Sequence, residues 1–194
     1  MNDDNRMNPN LLLARRIKAE RTARDWSLAD LAKSSGVSAA MISKVERGES
    51  SPTAVLLGRL SGAFRLSISQ LFAPDEARPG RVSRQQDQLA WRDPKTRYVR
   101  RTLSPPGCSG PLELVWVELP AGAEITYPAS AFTFIDQQVV VIEGELTFVQ
   151  GAETYLLKGG DCLHLGSPAE CKFINAGRTV CRYLVAVAHL PNRI

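Results

Sequence analysis

The sequence predicts an α+β chain of two domains, an all-α five-helix unit followed by an all-β barrel. Three observations carry that expectation. Before residue 75 there are four glycines and three prolines, and from there on ten and nine. Apolar residues recur at helical spacing in the first part and alternate in short β-branched and aromatic runs in the second. Charge divides in the same way: residues 1–74 carry 11 basic and 7 acidic side chains, 75–105 carry 8 and 4, and 106–194 carry 5 and 9, which sums to the net +4. At 194 residues two small domains can each bury a core. The polar, proline-flanked stretch Pro74–Gly80 reads as the junction, so the expected divisions are a flexible tail at 1–10, a helical domain at 11–73, a linker at 74–80 and a β domain at 81–190.

Each helix has its own punctuation. Leu11 to Arg24 places Leu13 and Ile17 on one face. Ser27 caps a second helix while Asp30 reaches back, with Trp26 and Leu31 as staple, and Ser35-Gly36 stops it. Ser38 caps a third, which turns Ile42 and Val45 inward and ends at Gly48. Ser51-Pro52 opens a fourth with an apolar stripe of Val55, Leu56, Leu60 and Phe64. Ser67 and Gln70 form a further capping box, stapled by Leu66 and Leu71.

Composition excludes several classes. The longest aliphatic run, Val139 to Ile142, is far short of the ~20 residues a membrane span needs. The polar start Met1–Arg6 argues against export, so a cytoplasmic chain is expected. Four cysteines at 108, 162, 171 and 181 lack C-x-x-C spacing and read as free thiols. Cys171 reads as a structural or pocket-lining cysteine rather than a redox sensor, and His189 as a surface residue. His164, opposite Leu163 and Leu165 on a strand, suits a pocket wall, the interior or solvent. The arginines between Arg78 and Arg101 suit a solvated linker and first strands, or an extension of a polyanion-binding face.

Two helices joined by a tight Ser-Gly turn, the second beginning with small polar residues, make a helix-turn-helix arrangement. Ser38, Ala39, Ala40, Ser43 and Lys44 form the slim outer face that would enter a DNA major groove, with Arg47 near phosphates. The run Ser27-Leu28-Ala29-Asp30-Leu31-Ala32, Gly36-Val37-Ser38, Ile42 through Gly48 and Ser51-Pro52-Thr53 resembles the XRE-type helix-turn-helix of phage-repressor-like regulators. The resemblance covers residues 11–73 and implies a structural ion pair between Arg21 and Glu46. Leu28 departs from the polar residue common at its position, so no DNA contact is expected there.

The C-terminal part resembles the cupin (jelly-roll) barrel that often follows this domain in bacterial regulators. Leu119-Pro120-Ala121-Gly122, Val141 to Leu146, Gly159-Gly160-Asp161 and Phe173 to Gly177 carry the resemblance, over residues 80–190. Catalytic cupins hold a metal with two histidines one residue apart, a glutamate, and a third histidine four residues before an asparagine. Here Gln137 stands for the glutamate, Ala131 and Thr133 or Ser130 and Phe132 for the paired histidines, and Cys171 for the last, four before Asn175. One thiol and an amide do not hold an oxygen-chemistry metal, so no metal or other cofactor and no catalytic residue is expected. Thr133, Gln137, Val139, Val141, His164, Cys171 and Phe173 are instead the candidate lining of a ligand pocket.

The expected function is that of a DNA-binding transcriptional regulator with a double-stranded operator as partner and a small-molecule effector in the barrel. It should act as a homodimer, since one small helix-turn-helix makes too few base contacts for useful specificity. The alternatives are a cupin serving only as dimerisation scaffold, and a cupin enzyme with an accessory DNA-binding domain.

Overall fold

The computed structural model describes residues 8–73, 80–107 and 110–190. Five helices come first: α1 (Pro9–Thr22), α2 (Leu28–Ser35), α3 (Ala39–Glu46), α4 (Ala54–Phe64) and α5 (Ile68–Leu71). Asn8 caps α1 and Pro9 opens it, so the helix takes in the end of the segment expected as a tail. The rest of that tail, residues 1–7, and linker residues 74–79 lie outside the described residues, as does Cys108.

The capping chemistry is as read. The Ser27 hydroxyl accepts from the Asp30 N–H while the Asp30 carboxylate accepts from the Ser27 N–H, and Ser67 with Gln70 repeats the arrangement at α5. Gly36 ends α2 at φ 67°, a conformation a β-carbon would strain. Leu13, Ile17, Leu31, Ile42, Val45, Leu57 and Leu60 are fully buried or within a per cent of it.

Helix α4 departs from expectation. It begins at Ala54, capped by Thr53, rather than at Pro52, and its buried face is Ala54, Leu57, Gly58, Leu60, Ser61 and Phe64, while Val55 is exposed. The physical reason is a second neighbour: α4 packs against the helices on one side and the β domain on the other.

Among the described residues that domain has ten strands: β1 (Ala90–Arg92), β2 (Val99–Thr102), β3 (Leu112–Leu119), β4 (Glu124–Tyr127), β5 (Ile135–Glu143), β6 (Glu145–Gln150), β7 (Glu153–Lys158), β8 (Cys162–His164), β9 (Cys171–Ile174) and β10 (Cys181–His189). They form a six-stranded sheet, ordered β1-β2-β3-β10-β5-β8, and a four-stranded sheet, ordered β4-β9-β6-β7, with antiparallel pairing throughout. The two sheets enclose Val115, Val117, Val139, Val141, Phe148 and Phe173, the packed interior of a jelly roll. Gly144 turns β5 into β6 at φ 88°, and a β-carbon there would lie 3.1 Å from the Cys181 backbone.

The two domains share one buried cluster. Phe72 packs on Trp91 at 5.9 Å between ring centroids, and Arg65 lies over the Phe134 ring. A β-carbon on Gly58 would come within 2.5 Å of the Tyr127 ring, and one on Gly62 within 2.5 Å of the Ser130 hydroxyl oxygen. Asp93, in the turn between β1 and β2, is 1% exposed and accepts the Ala54 N–H at 2.5 Å with one oxygen and the Lys95 and Thr96 N–H groups with the other.

Candidate nucleic-acid interface and barrel cavity

Helix α3 follows α2 after the Gly36 turn, with Val37, Ile42 and Val45 buried beneath it. Its outer face is the one expected: Ser38, Ala40 and Lys44 are exposed, and Ala39 and Ser43 half-buried. Ser38 also caps the helix, its hydroxyl accepting from the Met41 N–H. The small Ala39 and Ala40 leave the N-terminal turn narrow enough for a groove.

Arg47 is exposed, but its guanidinium is forked onto Glu49 at 2.6 and 2.7 Å and also donates to the Ser43 hydroxyl. An exposed pair of this kind is weak, so a phosphate can displace the carboxylate. Arg59 is a residue the sequence reading missed. It donates from α4 to the Gly36 carbonyl at 3.3 Å, which brings a cation from another helix beside the turn. Its signal in the sequence was a lone charge within the otherwise uncharged run Ala54–Phe64.

Arg21 and Glu46 meet as the resemblance implied. The guanidinium donates to both carboxylate oxygens, at 2.7 and 2.9 Å, and to the Trp26 carbonyl at 2.8 Å. The pair ties the end of α1 to the end of α3 and thereby sets the pitch of the outer face.

Inside the barrel the expected pocket is redistributed. A cavity of about 30 Å³ lies where the mouth of the β domain meets α4 and α5, with Tyr98, Arg100, Tyr127, Gln137 and Phe173 in its wall and Ser61 and Ser67 closing it from the helical side. Gln137 and Phe173 belong to it as expected. Val139, Val141 and Cys171 do not: they are fully buried between the sheets, beyond its wall. Thr133 is exposed, because it ends the 3-10 turn Ala129–Phe132 and donates back to the Ser130 carbonyl. His164 is exposed as well, since β8 is an edge strand that turns its histidine outward to Asp136 at 2.6 Å.

Two further placements correct the sequence reading. His189 is half-buried rather than superficial, its Nε2 2.7 Å from Glu113. Arg100 is 7% exposed, against the solvated role expected for its segment, because α5 and the barrel wall cover it. Its signal was period two, since Tyr98 and Arg100 share one face of β2.

Around Glu113 a serine, a carboxylate and a histidine meet, with the carboxylate in the middle. The Ser67 hydroxyl donates to the carboxylate itself at 2.8 Å, so the imidazole does not stand between hydroxyl and carboxylate as it does in a serine–histidine–acid triad. Metal chemistry of the catalytic cupin kind does not fit these residues either. Ala131 and Phe132 supply no donor, Gln137 offers an amide, and the Cys171 thiol donates to the Ala169 carbonyl. Among the described residues no three His, Cys, Asp or Glu side chains are placed to share an ion.

The buried thiols are inert at neutral pH. Burial, helped by the charge of Glu170, pushes Cys171 up to about 12, and burial pushes Cys181 up to about 11. Both therefore keep their protons in the folded chain after an unfolded chain, titrating near 9, has lost them. Their contribution to stability is complete below pH 9 and is lost as pH rises from there toward 11–12. The melting temperature should fall across that window, and iodoacetamide at pH 8 should label exposed Cys162 while sparing Cys171 and Cys181 until the chain unfolds. Rapid native labelling of either buried thiol, found by peptide mapping, would contradict this.

Residues 17–71 match the helix-turn-helix family HTH_3, over the helices that build this interface. The chain thus joins a helix-turn-helix domain to a jelly-roll barrel. Over 179 residues it is 26% identical to the HTH-type transcriptional regulator SutR of Escherichia coli (strain K12), covering 92% of this chain and 95% of that one. The crystal structure of an HTH_3 family transcriptional regulator from Vibrio cholerae matches at 23% identity and a TM-score of 0.76, over 94% of this chain and 98% of the other, and shows the same two-domain fold. Fainter likenesses, at 19% identity, are to the cupin domain of an XRE family regulator from Enterobacter cloacae (TM-score 0.44, 49% of this chain and 98% of that) and to hydroxypropylphosphonic acid epoxidase from S. wedmorenis (0.48, 94% and 99%). No helix among the described residues is long and apolar enough to cross a membrane.

Proposed function

We propose that the chain is a cytoplasmic transcription regulator that reads a two-fold DNA operator as a homodimer, and that its β domain senses a small effector without a catalytic metal. The DNA side rests on the outer face of α3, with Lys44, Arg47 and Arg59 around it. The sensing side rests on one observation, the cavity lined by both domains. An effector that fills it touches Ser61 and Ser67 of the helical domain as well as the barrel wall, so occupancy bears on how the reading helix is held. The small size of the cavity and the solid packing of Val139, Val141 and Cys171 favour a second reading, a barrel that only dimerises.

Replacing Ala39 and Ala40 together with glutamate tests the DNA reading. Two carboxylates on the groove-facing turn should abolish binding to the operator in gel shifts, while the fold and melting temperature stay near wild type. Wild-type affinity should fall steeply with salt, and footprints should show half-sites about one helical turn apart. Unchanged operator binding by the double variant would overturn the assignment of α3.

A further inference from the structure

The cavity wall carries polar atoms without a hydrogen bond of ordinary length, the Tyr98 side chain lying beside Arg100 and Tyr127. Arg100 Nε, the Tyr127 hydroxyl and Gln137 Oε1 are buried without a hydrogen-bond partner, and all three residues line the same space. Buried polar atoms are almost always paired, and a buried guanidinium without a counter-charge is costly, so three such atoms on residues that line one cavity favour an occupant. No described carboxylate forms an ion pair with Arg100. Glu113 acts on it only at longer range, its oxygens already engaged by Ser67 and His189.

We infer that the cavity binds a small anion, a carboxylate or oxoanion about the size of acetate or bicarbonate, with Arg100 as its cationic donor. The assignment rests on the sensing reading above and gives that effector its chemistry. Arginine keeps its charge in any such site and presents a planar fork that matches two oxygens of one anion. Burial holds the Tyr127 phenol well above its usual range, so it is an O–H donor at neutral pH. The Gln137 amide can turn either end toward the ligand, meeting a carboxylate oxygen with its N–H or a bicarbonate hydroxyl with its carbonyl. Size sets the upper limit: about 30 Å³ holds on the order of two waters, or the few heavy atoms of such an anion, and excludes sugars and nucleotides.

The test uses the full chain at constant ionic strength, with chloride replaced in turn by acetate, bicarbonate, phosphate or sulfate. Wild type should gain melting temperature saturably with at least one of them, and calorimetry should give a single site. Arg100→Gln should weaken that affinity at least tenfold, and Tyr127→Phe severalfold, with circular dichroism and operator binding unchanged in the absence of the anion. If Arg100→Gln does not fold, Tyr127→Phe decides alone. An equal shift in the variants would move the anion to the exposed basic surface and overturn the site, as would no shift with any of the four. Neutral amides and polyols are run in parallel. If they shift wild type while the anions do not, sensing stands and the anion falls; if neither class does, both fall and the barrel is a scaffold.

Discussion

Replacing Arg21 with alanine is expected to cost about 3–5 kcal/mol of stability, at the lower end because the guanidinium is 14% exposed. The loss comes less from the missing attraction than from what is left behind. Glu46 is 7% exposed, and without the fork its carboxylate stays charged in a site that water barely reaches. The Trp26 carbonyl loses a donor in the same step. For a chain of this length the melting temperature should drop by roughly 10 °C. Arg21→Lys should recover only part, since an ammonium supplies the charge but not two parallel bonds in one plane. Thermal melts of the three proteins decide the matter, and an alanine variant within about 1 kcal/mol of wild type would show the pair to be ornamental.

Asp93 should be nearly as sensitive, for a different reason. Its two oxygens face in opposite directions, one to the Ala54 N–H at the start of α4 and the other to Lys95 and Thr96 in its own turn. Alanine leaves all three donors without an acceptor, at about 1–3 kcal/mol for each that stays dry; Lys95 is exposed and Thr96 half-buried, so about 3 kcal/mol in total is expected. Asparagine discriminates further. An amide has one oxygen, so whichever way it turns, an N–H donor points at an N–H donor on the other side. Urea denaturation should place Asp93→Asn well below wild type, and an asparagine variant within about 0.5 kcal/mol would deny the two-sided role.

Features written in neighbouring residues were legible in the sequence. The Ser27–Asp30 and Ser67–Gln70 boxes, the Ser38 cap, the left-handed Gly36 and the exposed face of α3 each follow from residues within a turn of one another. The Arg21–Glu46 pair was accessible only through the family resemblance. What escaped depends on contacts made across the chain. At the start of α4 the Thr53 cap is joined by a carboxylate 39 residues further on, whereas the sequence reading opened the helix at Ser51-Pro52. Thr133 was assigned to a pocket through the family's paired-histidine position and His164 by strand alternation, and the 3-10 turn at Ala129–Phe132 and the edge position of β8 turn both to solvent. Arg100 was read as solvated because a charge on a short strand usually is; only the closing of the barrel mouth by α4 and α5 reveals otherwise.

The glycines of α4 have a bearing on whether the two domains can be separated. A DNA-reading unit is commonly pictured as a module that recombination can attach to any receptor. Here α4 of the helical domain is bare at Gly58 and Gly62, where Tyr127 and Ser130 pack, and it borrows the acceptor for its first N–H from the β domain. A chimera joining residues 8–73 to a foreign barrel would present those notches to the wrong relief and leave that amide without its carboxylate. A substitution on one side of this seam therefore constrains what the other side can hold.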